Sequence, residues 1–280
     1  MNKRVIVNTV PHSGTHLVSS ILEIIGYSHA LQFHWKTLSY RKVGLNWRTS
    51  LLPGNNGVNN TEKKFYVSVA SPQLVRADLI NNIIKRIKNN KFLLSHTPYS
   101  TIFAEILIDL SFKGITIIRD PRDMCLSMLN HIETRPHHLA FDALYNNLPS
   151  RKERLEAITE GTKIQTTVGN RHFGNIKKMV ESILPWDKAD NFILLKFEDL
   201  VGARGGGSAD MQFQSINKIL NHLNVEHFVV EEIANNSFGK SGTFRKGKVN
   251  RWKTELNEDE KEIFKKHDDF IVSLGYEPTE

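Results

Sequence analysis

The chain has 280 residues, of which 40% are hydrophobic, and this is enough to bury the core of one large α/β domain spanning residues 1–280. Its single cysteine, Cys125, excludes an internal disulfide framework and a cysteine-based metal cluster. No window approaches the ~18 apolar residues of a membrane span, and the apolar part of residues 1–10 is too short for a signal peptide, so we expect a cytoplasmic protein. The formal charge of +7 favours an anionic ligand, although a solvated basic surface would give the same charge.

The first pattern in the chain is a strand, a tight loop and a helix. Residues 5–26 read VIVNTVPHSGTHLVSSILEIIG, and we expect the helix to begin at Gly14 or Thr15 and to end at Gly26. The first N–H groups of such a helix lack intrahelical partners, and the helix dipole favours negative charge there. An ordinary strand-to-helix turn capped by Ser and Thr is the alternative. The candidate anion ligands are Ser13, Gly14, Thr15 and His16.

Three further apolar runs, at residues 92–95, 115–118 and 192–197, predict buried strands. Helical patterns at residues 79–88, 101–110 and 121–130 accompany them, so we expect an α/β fold of three layers, with a mainly parallel central sheet and flanking helices. Ligands of such folds bind at the carboxyl ends of the strands.

Several other segments carry weaker patterns. Residues 28–71 and 133–173 show no clean period, and GARGGG at residues 202–207 predicts a mobile loop. Asn257 and Glu260 resemble a capping box, and the apolar stripe that follows predicts one helix ending at Gly275.

A second candidate site is the sequence ITIIRDPRDMCLSMLNH. Asp120 can cap a helix whose first residue is Pro121, which leaves Arg119 at the sheet edge and Ser127 two turns along the helix. A guanidinium and a hydroxyl suit a phosphate. The alternative is Arg119 paired with a structural carboxylate and Ser127 bonded to its own helix.

A third candidate site is FRKGKVNRW, where Arg245, Lys246 and Lys248 surround Gly247. Cations and backbone amides of this loop could converge on another phosphate, whereas a solvated basic loop is the alternative.

In this order, these loops resemble motifs of the cytosolic sulfotransferases that use 3′-phosphoadenosine 5′-phosphosulfate (PAPS). Residues 11–17 resemble the PKSGTTW-like loop of that family, and Arg119 precedes Ser127 by eight residues as the family's arginine precedes its serine. Residues 197–200 resemble its YEDL-like strand end, and residues 245–252 its RKGxxGxW loop. The resemblance covers nearly the whole chain and implies a P-loop nucleotide-kinase-like sulfotransferase fold.

The resemblance also implies an activity, which is in-line transfer of a sulfuryl group from PAPS to a hydroxyl or amine of a small-molecule, lipid or glycan acceptor. The product is 3′,5′-adenosine bisphosphate (PAP), and no metal is expected. His96, in LLSHTP, would be the general base, and its place after a strand fits that role. The 5′-phosphosulfate would lie at residues 13–16, the 3′-phosphate at Arg119, Ser127 and residues 245–247, and the adenine against Phe238. The residues implied to bind PAPS are Pro11, Ser13, Gly14, Thr15, His16, Arg119, Ser127, Phe197, Ser237, Phe238, Arg245, Lys246 and Gly247.

The chain departs from the family at four positions. His12 replaces the lysine that helps the leaving group depart, Leu17 replaces a tryptophan, Leu94 replaces a second lysine, and Asn250 replaces a glycine. An imidazole with a pKa near 6.5 is only partly charged at neutral pH, but a bound phosphosulfate would raise that pKa. We therefore predict that His12 is a second catalytic residue, protonated in the complex.

Two functions compete with an active transferase. One is a catalytically impaired PAPS- or PAP-binding protein, and the other is a nucleic-acid-binding protein, for which the cations are too scattered. A kinase is disfavoured because no GxxxxGK[ST] loop is present. His137 and His138 are expected at the surface, with contact to the acceptor as the alternative. Trp35 and Trp47 either line an acceptor pocket or pack in the core.

Overall fold

The computed structural model describes residues 3–32, 63–166, 169–239 and 247–280, and its central element is a five-stranded sheet. Neighbouring strands of this sheet all run parallel. In sheet order they are β2 (Ser28–Gln32), β5 (Lys91–Ser95), β1 (Arg4–Thr9), β6 (Phe112–Ile118) and β9 (Phe192–Lys196). Two antiparallel hairpins complete the strands, β3 (Lys64–Val67) with β4 (Gln73–Arg76) and β7 (Thr162–Thr166) with β8 (Gly169–Phe173).

Helices connect the strands and cover the sheet. Those in the described residues are α1 (Thr15–Ile24), α2 (Ala77–Ile84), α3 (Thr101–Asp109), α4 (Pro121–Glu133), α5 (Arg151–Glu160), α6 (Ile176–Ile183), α7 (Phe197–Leu200), α8 (Ala209–Leu223), α9 (Val230–Ser237), α10 (Trp252–Glu255), α11 (Glu258–Lys265) and α12 (Asp268–Ser273). A π-helical turn (Asp142–Asn146) and two 3-10 turns (Leu184–Lys188 and Ala203–Gly205) lie between them. No helix in these ranges is both long and apolar enough to cross a bilayer.

The alternation of side chains along β1 shows the three layers. Val5 and Val7 pack in one apolar cluster with α1, α8 and α9, whereas Ile6 packs in the opposite cluster with α3, α4 and α6. Since both faces of the strand are covered, its sequence has no polar alternation, and the predicted three-layer α/β fold with a parallel central sheet is confirmed.

The register of the sheet brings the candidate residues together at the carboxyl ends of β1, β5 and β6. Asn8 of β1 lies opposite Ser95 of β5, and Thr9 lies opposite Ile117 of β6. The loops that follow these three strands therefore start side by side, and His96 and Arg119 flank residues 10–14 as predicted.

The main differences from prediction lie at the edge of the sheet and in the tail. The irregular sequence of β2 agrees with its position, because it is an edge strand whose pairing with β5 is interrupted by a bulge between His29 and Leu31.

The prediction of one long C-terminal helix is wrong, since α11 ends before His267, whose φ of −114° and ψ of 10° begin a second helix. His267 Nε2 lies 2.7 Å from Glu160 Oε1 of α5, a tertiary contact that the periodicity does not reveal.

Candidate functional site

The PHSGTH loop ends in an uncapped helix, as an anion site requires. Helix α1 begins at Thr15, and its N-cap is Gly14, with φ 110° and ψ 19°, so no side chain caps the first turn. Leu17 N donates to Gly14 O at 3.0 Å, so the backbone N–H groups of Thr15 and His16, which precede it, are the ones available to an anion, and the dipole of the helix adds to their attraction.

The hydroxyl groups of the loop hold it against the sheet. Ser13 Oγ is fully buried and donates to Val10 O at 2.7 Å, with Ile117 O at 3.0 Å as a second acceptor. Thr15 Oγ1 lies 2.7 Å from Thr9 Oγ1. Ser13 and Thr15 were both predicted to surround the anion, but their hydroxyls contact protein groups, and Ser13 N donates to Val10 O at 3.2 Å. Of these groups, the backbone N–H of Thr15 is the one left for an anion.

Gly14 is required by space as well as by conformation. An added Cβ atom would lie 2.6 Å from Phe197 Cδ2, and Phe197 is only 3% exposed. The guanidinium of Arg119 lies 4.4 Å from the centroid of the same ring, which limits how far the ring can shift. The loop, the aromatic ring at the start of α7 and Arg119 therefore form one packed unit.

We predict that Gly14→Ala weakens PAP binding more than Gly26→Ala does. Both glycines flank α1 and have positive φ values, 110° and 91°, so both variants carry backbone strain of about 1–3 kcal/mol. Gly26 has no atom within 4 Å of an added Cβ, whereas Gly14 meets Phe197. Thermal unfolding and PAP calorimetry separate the effects: both variants should lose stability, and only Gly14→Ala should lose affinity. Equal loss of affinity would contradict the packing argument.

Arg119 connects the loop between β1 and α1, residues 10–14 and here called the anion loop, to the C-terminal segment. Its Nη1 donates to His12 O at 3.3 Å, and its Nη2 donates to Lys248 O at 2.8 Å and to Asp123 Oδ2 at 3.2 Å. The alternative of a structural carboxylate partner is thus realised by Asp123. Arg119 Nε is buried and has no hydrogen-bond partner among the described residues, so one donor remains to be satisfied.

Asp123 fixes both Arg119 and the following segment. Its second oxygen, Oδ1, accepts from Trp252 N at 2.9 Å, although the two residues are 129 positions apart. Burial raises the pKa of Asp123, while the charge of Arg119 acts in the opposite direction. The carboxylate therefore links the first turn of α4 to the start of α10.

His12 lies where the anion loop meets helix α4. Its φ is 69°, and its Nδ1 lies 3.4 Å from Ser127 Oγ. Burial, followed by the electrostatic effects of the nearby His131, His96, Arg119 and His138 side chains, lowers the pKa of His12 well below its ordinary value. The ring is therefore neutral at pH 7 in the ligand-free protein.

His96 is held at its backbone and at one ring nitrogen. The side chain of Asn8, which is fully buried, donates to Thr97 O at 2.9 Å and accepts from Thr97 N at 2.8 Å. His96 O accepts from Val69 N at 2.8 Å, and His96 Nδ1 lies 2.6 Å from Thr9 O. Because a carbonyl oxygen only accepts, Nδ1 carries the proton of the neutral ring, and Nε2 has the lone pair that a general base needs.

Two histidines that sequence reasoning missed extend the site. His131 lies 4.9 Å from His12 between ring centroids, and His138 lies 5.8 Å from His131. The spacing of Ser127 and His131, four residues apart on α4, places them on one helix face and was the available signal. The expectation of a surface position for His138 is wrong, because its ring is partly buried and packs edge-on against Phe173 at 5.8 Å. No group of described His, Cys, Asp and Glu side chains has the arrangement of a metal site.

The comparisons with known proteins agree with this geometry. A family description of the sulfotransferase domain matches residues 2–269. The chain belongs to the sulfotransferase family. No curated protein sequence matches it significantly. Mouse sulfotransferase SULT7A1, solved with PAP, has a TM-score of 0.55 at 16% identity, with 98% of this chain and 88% of that chain covered. Retinol dehydratase, solved with retinol and PAP, has a TM-score of 0.56 at 14% identity, with 96% and 80% covered. At these identities the neighbours establish the fold.

The substitutions in this sulfotransferase fit their surroundings. Asn250, which replaces the family's glycine, has a φ of 55°, in the left-handed region that asparagine tolerates better than most residues. Leu17 and Leu94 are both buried in the apolar cluster between the sheet and α1. These positions therefore serve packing in this chain.

The remaining predicted ligands are spread over the described and undescribed parts of the sulfotransferase. Pro11 lies in the loop after β1, and His16 lies in the first turn of α1. Ser237 Oγ donates to Ala234 O of its own helix at 3.3 Å, and Phe238 packs on the α1 cluster. Arg245, Lys246, Trp35 and Trp47 lie outside the described residues.

Gly247 packs against the glycine-rich run. A Cβ atom at Gly205 would lie 2.5 Å from Gly247 O, and Val249 N donates to Gly205 O at 2.9 Å. The run, predicted as a mobile loop, contains the 3-10 turn Ala203–Gly205 and packs closely against the C-terminal segment.

Proposed function

We propose that this sulfotransferase transfers the sulfuryl group of PAPS to a hydroxyl or amine of a small-molecule, lipid or glycan acceptor and releases PAP. One observation carries the proposal: the contact of His96 Nδ1 with Thr9 O, at 2.6 Å, leaves Nε2 as the base at the sheet edge that also holds the anion loop.

The donor site is supported by groups that need an anion. The uncapped first turn of α1 suits the 5′-phosphosulfate, and the unpartnered Arg119 Nε suits the 3′-phosphate. PAP is named in the structures of the two neighbours described above. We propose that the donor is held by the set predicted from sequence, with Arg119, Ser127, Arg245, Lys246 and Gly247 around its 3′-phosphate.

The residues of the chain have separate tasks in this reaction. PAPS supplies an activated sulfuryl group, and transfer proceeds in line by positioning and charge stabilisation. His96 Nε2 takes the proton of the acceptor hydroxyl or amine. His12, together with the N-terminus of α1, stabilises the charge that develops on the leaving phosphate.

The lowered pKa of His12 predicts pH-dependent nucleotide binding. An anion beside the imidazole raises its pKa, so the complex holds more protons than the free protein between the two pKa values. PAP affinity should therefore rise as the pH falls, until His12 of the free protein is itself protonated. Calorimetry in two buffers of different ionisation enthalpy should show proton uptake that disappears in His12→Ala. Uptake that is equal in both proteins would contradict this assignment.

The acceptor class is best tested by transfer of labelled sulfate to a panel of alcohols, phenols, amines, lipids and glycans, with His96→Ala as the control. Retinol dehydratase has been solved with retinol and with androsterone, which supports small-molecule acceptors as the first group of the panel. Transfer that depends on His96 supports the proposal. PAP binding without transfer or donor hydrolysis would indicate the catalytically impaired binding protein, and salt-dependent binding of random oligonucleotides without preference for PAP would indicate a nucleic-acid-binding protein.

We also propose a single domain over residues 1–280 and a cytoplasmic location. The family match over residues 2–269 supports the first, and the single buried cysteine is consistent with a reducing compartment. Limited proteolysis and cell fractionation test these two points.

A further inference from the structure

The histidines near the anion loop have two different hydrogen-bond states. His96 Nδ1 donates to Thr9 O, as described above. His131 Nδ1 lies 2.9 Å from Arg135 Nη1, and His138 Nδ1 accepts from Ala140 N at 3.2 Å. A guanidinium and a backbone N–H are donors only, so His131 and His138 accept at Nδ1 and their neutral rings carry the proton on Nε2.

These contacts decide where an extra proton can reside. His131 or His138 could become an imidazolium only by protonating Nδ1, which would break its bond and set two donors against each other. His12 Nδ1 instead lies 3.4 Å from Ser127 Oγ, and a hydroxyl can accept as well as donate. His12 can therefore take a second proton without losing this contact.

The rings are close enough for the location of the proton to matter. Within the described part of the chain, the titratable and charged groups that act on His12 are His131 of α4, His138 after that helix, His96 after β5 and Arg119 after β6. With ring centroids 4.9 Å apart, His12 and His131 cannot both be charged without strong repulsion. Binding of the anionic donor favours the uptake of one proton, and the His12 and His131 rings compete for it.

We propose that Arg135, through His131, is a positioning residue that reserves this proton for His12. The inference rests on the proposed function, because it concerns the proton that accompanies donor binding. Arg135 lies two residues beyond the end of α4, and its Nη1 also donates to His131 O at 3.4 Å. The guanidinium thus keeps His131 neutral, and His12 faces the leaving group in its charged form.

Three variants test the proposal: Arg135→Met, His131→Phe and the double variant. In Arg135→Met, His131 Nδ1 becomes available to the proton, and kcat should fall about tenfold, while KM for PAPS changes less because the charge stays nearby. Phenylalanine at position 131 keeps an aromatic ring but cannot bind a proton. The double variant should therefore recover kcat to within about twofold of His131→Phe. Arg135→Lys, which retains a donor, should remain close to the wild type.

The NMR spectrum of ¹⁵N-labelled histidine in the PAP complex gives an independent readout. The wild type should show a charged His12 and a neutral His131, and Arg135→Met should show charge shifted to His131. The proposal is overturned if Arg135→Met has unchanged kcat, or if the double variant is as impaired as Arg135→Met. Wild-type protein that neither binds PAP nor transfers sulfate would overturn the proposed function instead.

Discussion

Replacement of His96 by alanine is expected to lower kcat by roughly 10²–10⁴-fold, with PAP affinity unchanged. On the proposed function the ring is the base at the acceptor side. The contacts of Ser13 with Val10 O and Ile117 O do not involve it, and Thr15 reaches it only through Thr9 Oγ1, which lies 2.7 Å from Thr15 Oγ1 and 3.1 Å from His96 Nδ1. Steady-state transfer of labelled sulfate and PAP calorimetry give the two quantities.

Two further variants make this result specific. His96→Asn retains a side-chain donor for Thr9 O without a base, so it should be as inactive as His96→Ala. His227→Asn is the matched control, because His227 has a side chain 92% exposed and a φ of 71° that asparagine tolerates. Wild-type kcat in His96→Asn would show that His96 has only a structural role.

Replacement of His12 by alanine is expected to lower kcat by more than about tenfold, because the leaving phosphate loses its charged neighbour. His12→Lys should restore much of this loss and should keep kcat high at alkaline pH. A lysine amine has a pKa near 10.4, whereas the imidazolium loses its proton as the pH rises through the pKa of the complex. The measurement is kcat against pH for the wild type and both variants.

The outcome also separates the two readings of the substitution. An active wild type whose kcat falls with rising pH, and whose His12→Lys variant does not, identifies His12 as a working replacement for the family's lysine. An inactive wild type that gains transfer activity in His12→Lys would identify a binding protein that has lost catalysis. Unchanged kcat in His12→Ala would remove His12 from the mechanism.

The parallel core strands and the loops at their carboxyl ends were predictable from local sequence. Strands such as β1 and β6 are covered on both faces, so continuous apolar residues identify them. The start of α1 at Thr15 followed from the glycine and the amphipathic pattern after it. These features depend on neighbouring residues alone.

The features that sequence reasoning missed depend on contacts between distant segments. In the sequence, Asn8 only interrupts the apolar residues of β1. The structure shows that its side chain bonds to the backbone O and N of Thr97, the residue after His96. The side chain of Ser13 turns to Ile117 O of β6, which local capping preferences do not predict. His131 joins the site because α4 packs beside the loop that carries His12.

The carboxylate of Asp123 accepts hydrogen bonds from both Arg119 and Trp252 N, so the proposed nucleotide site depends on the C-terminal segment. The loop after β1 and the guanidinium after β6 exist once the first half of the sheet has formed, but the backbone oxygen of Lys248 and the amide of Trp252 arrive with the last helices. A chain without that segment would leave Arg119 with Asp123 and His12 O as its hydrogen-bond partners. On the proposed function, we therefore expect such a chain to bind PAP more weakly than the full chain, because the contacts with Lys248 O and Trp252 N that position Arg119 and Asp123 are missing.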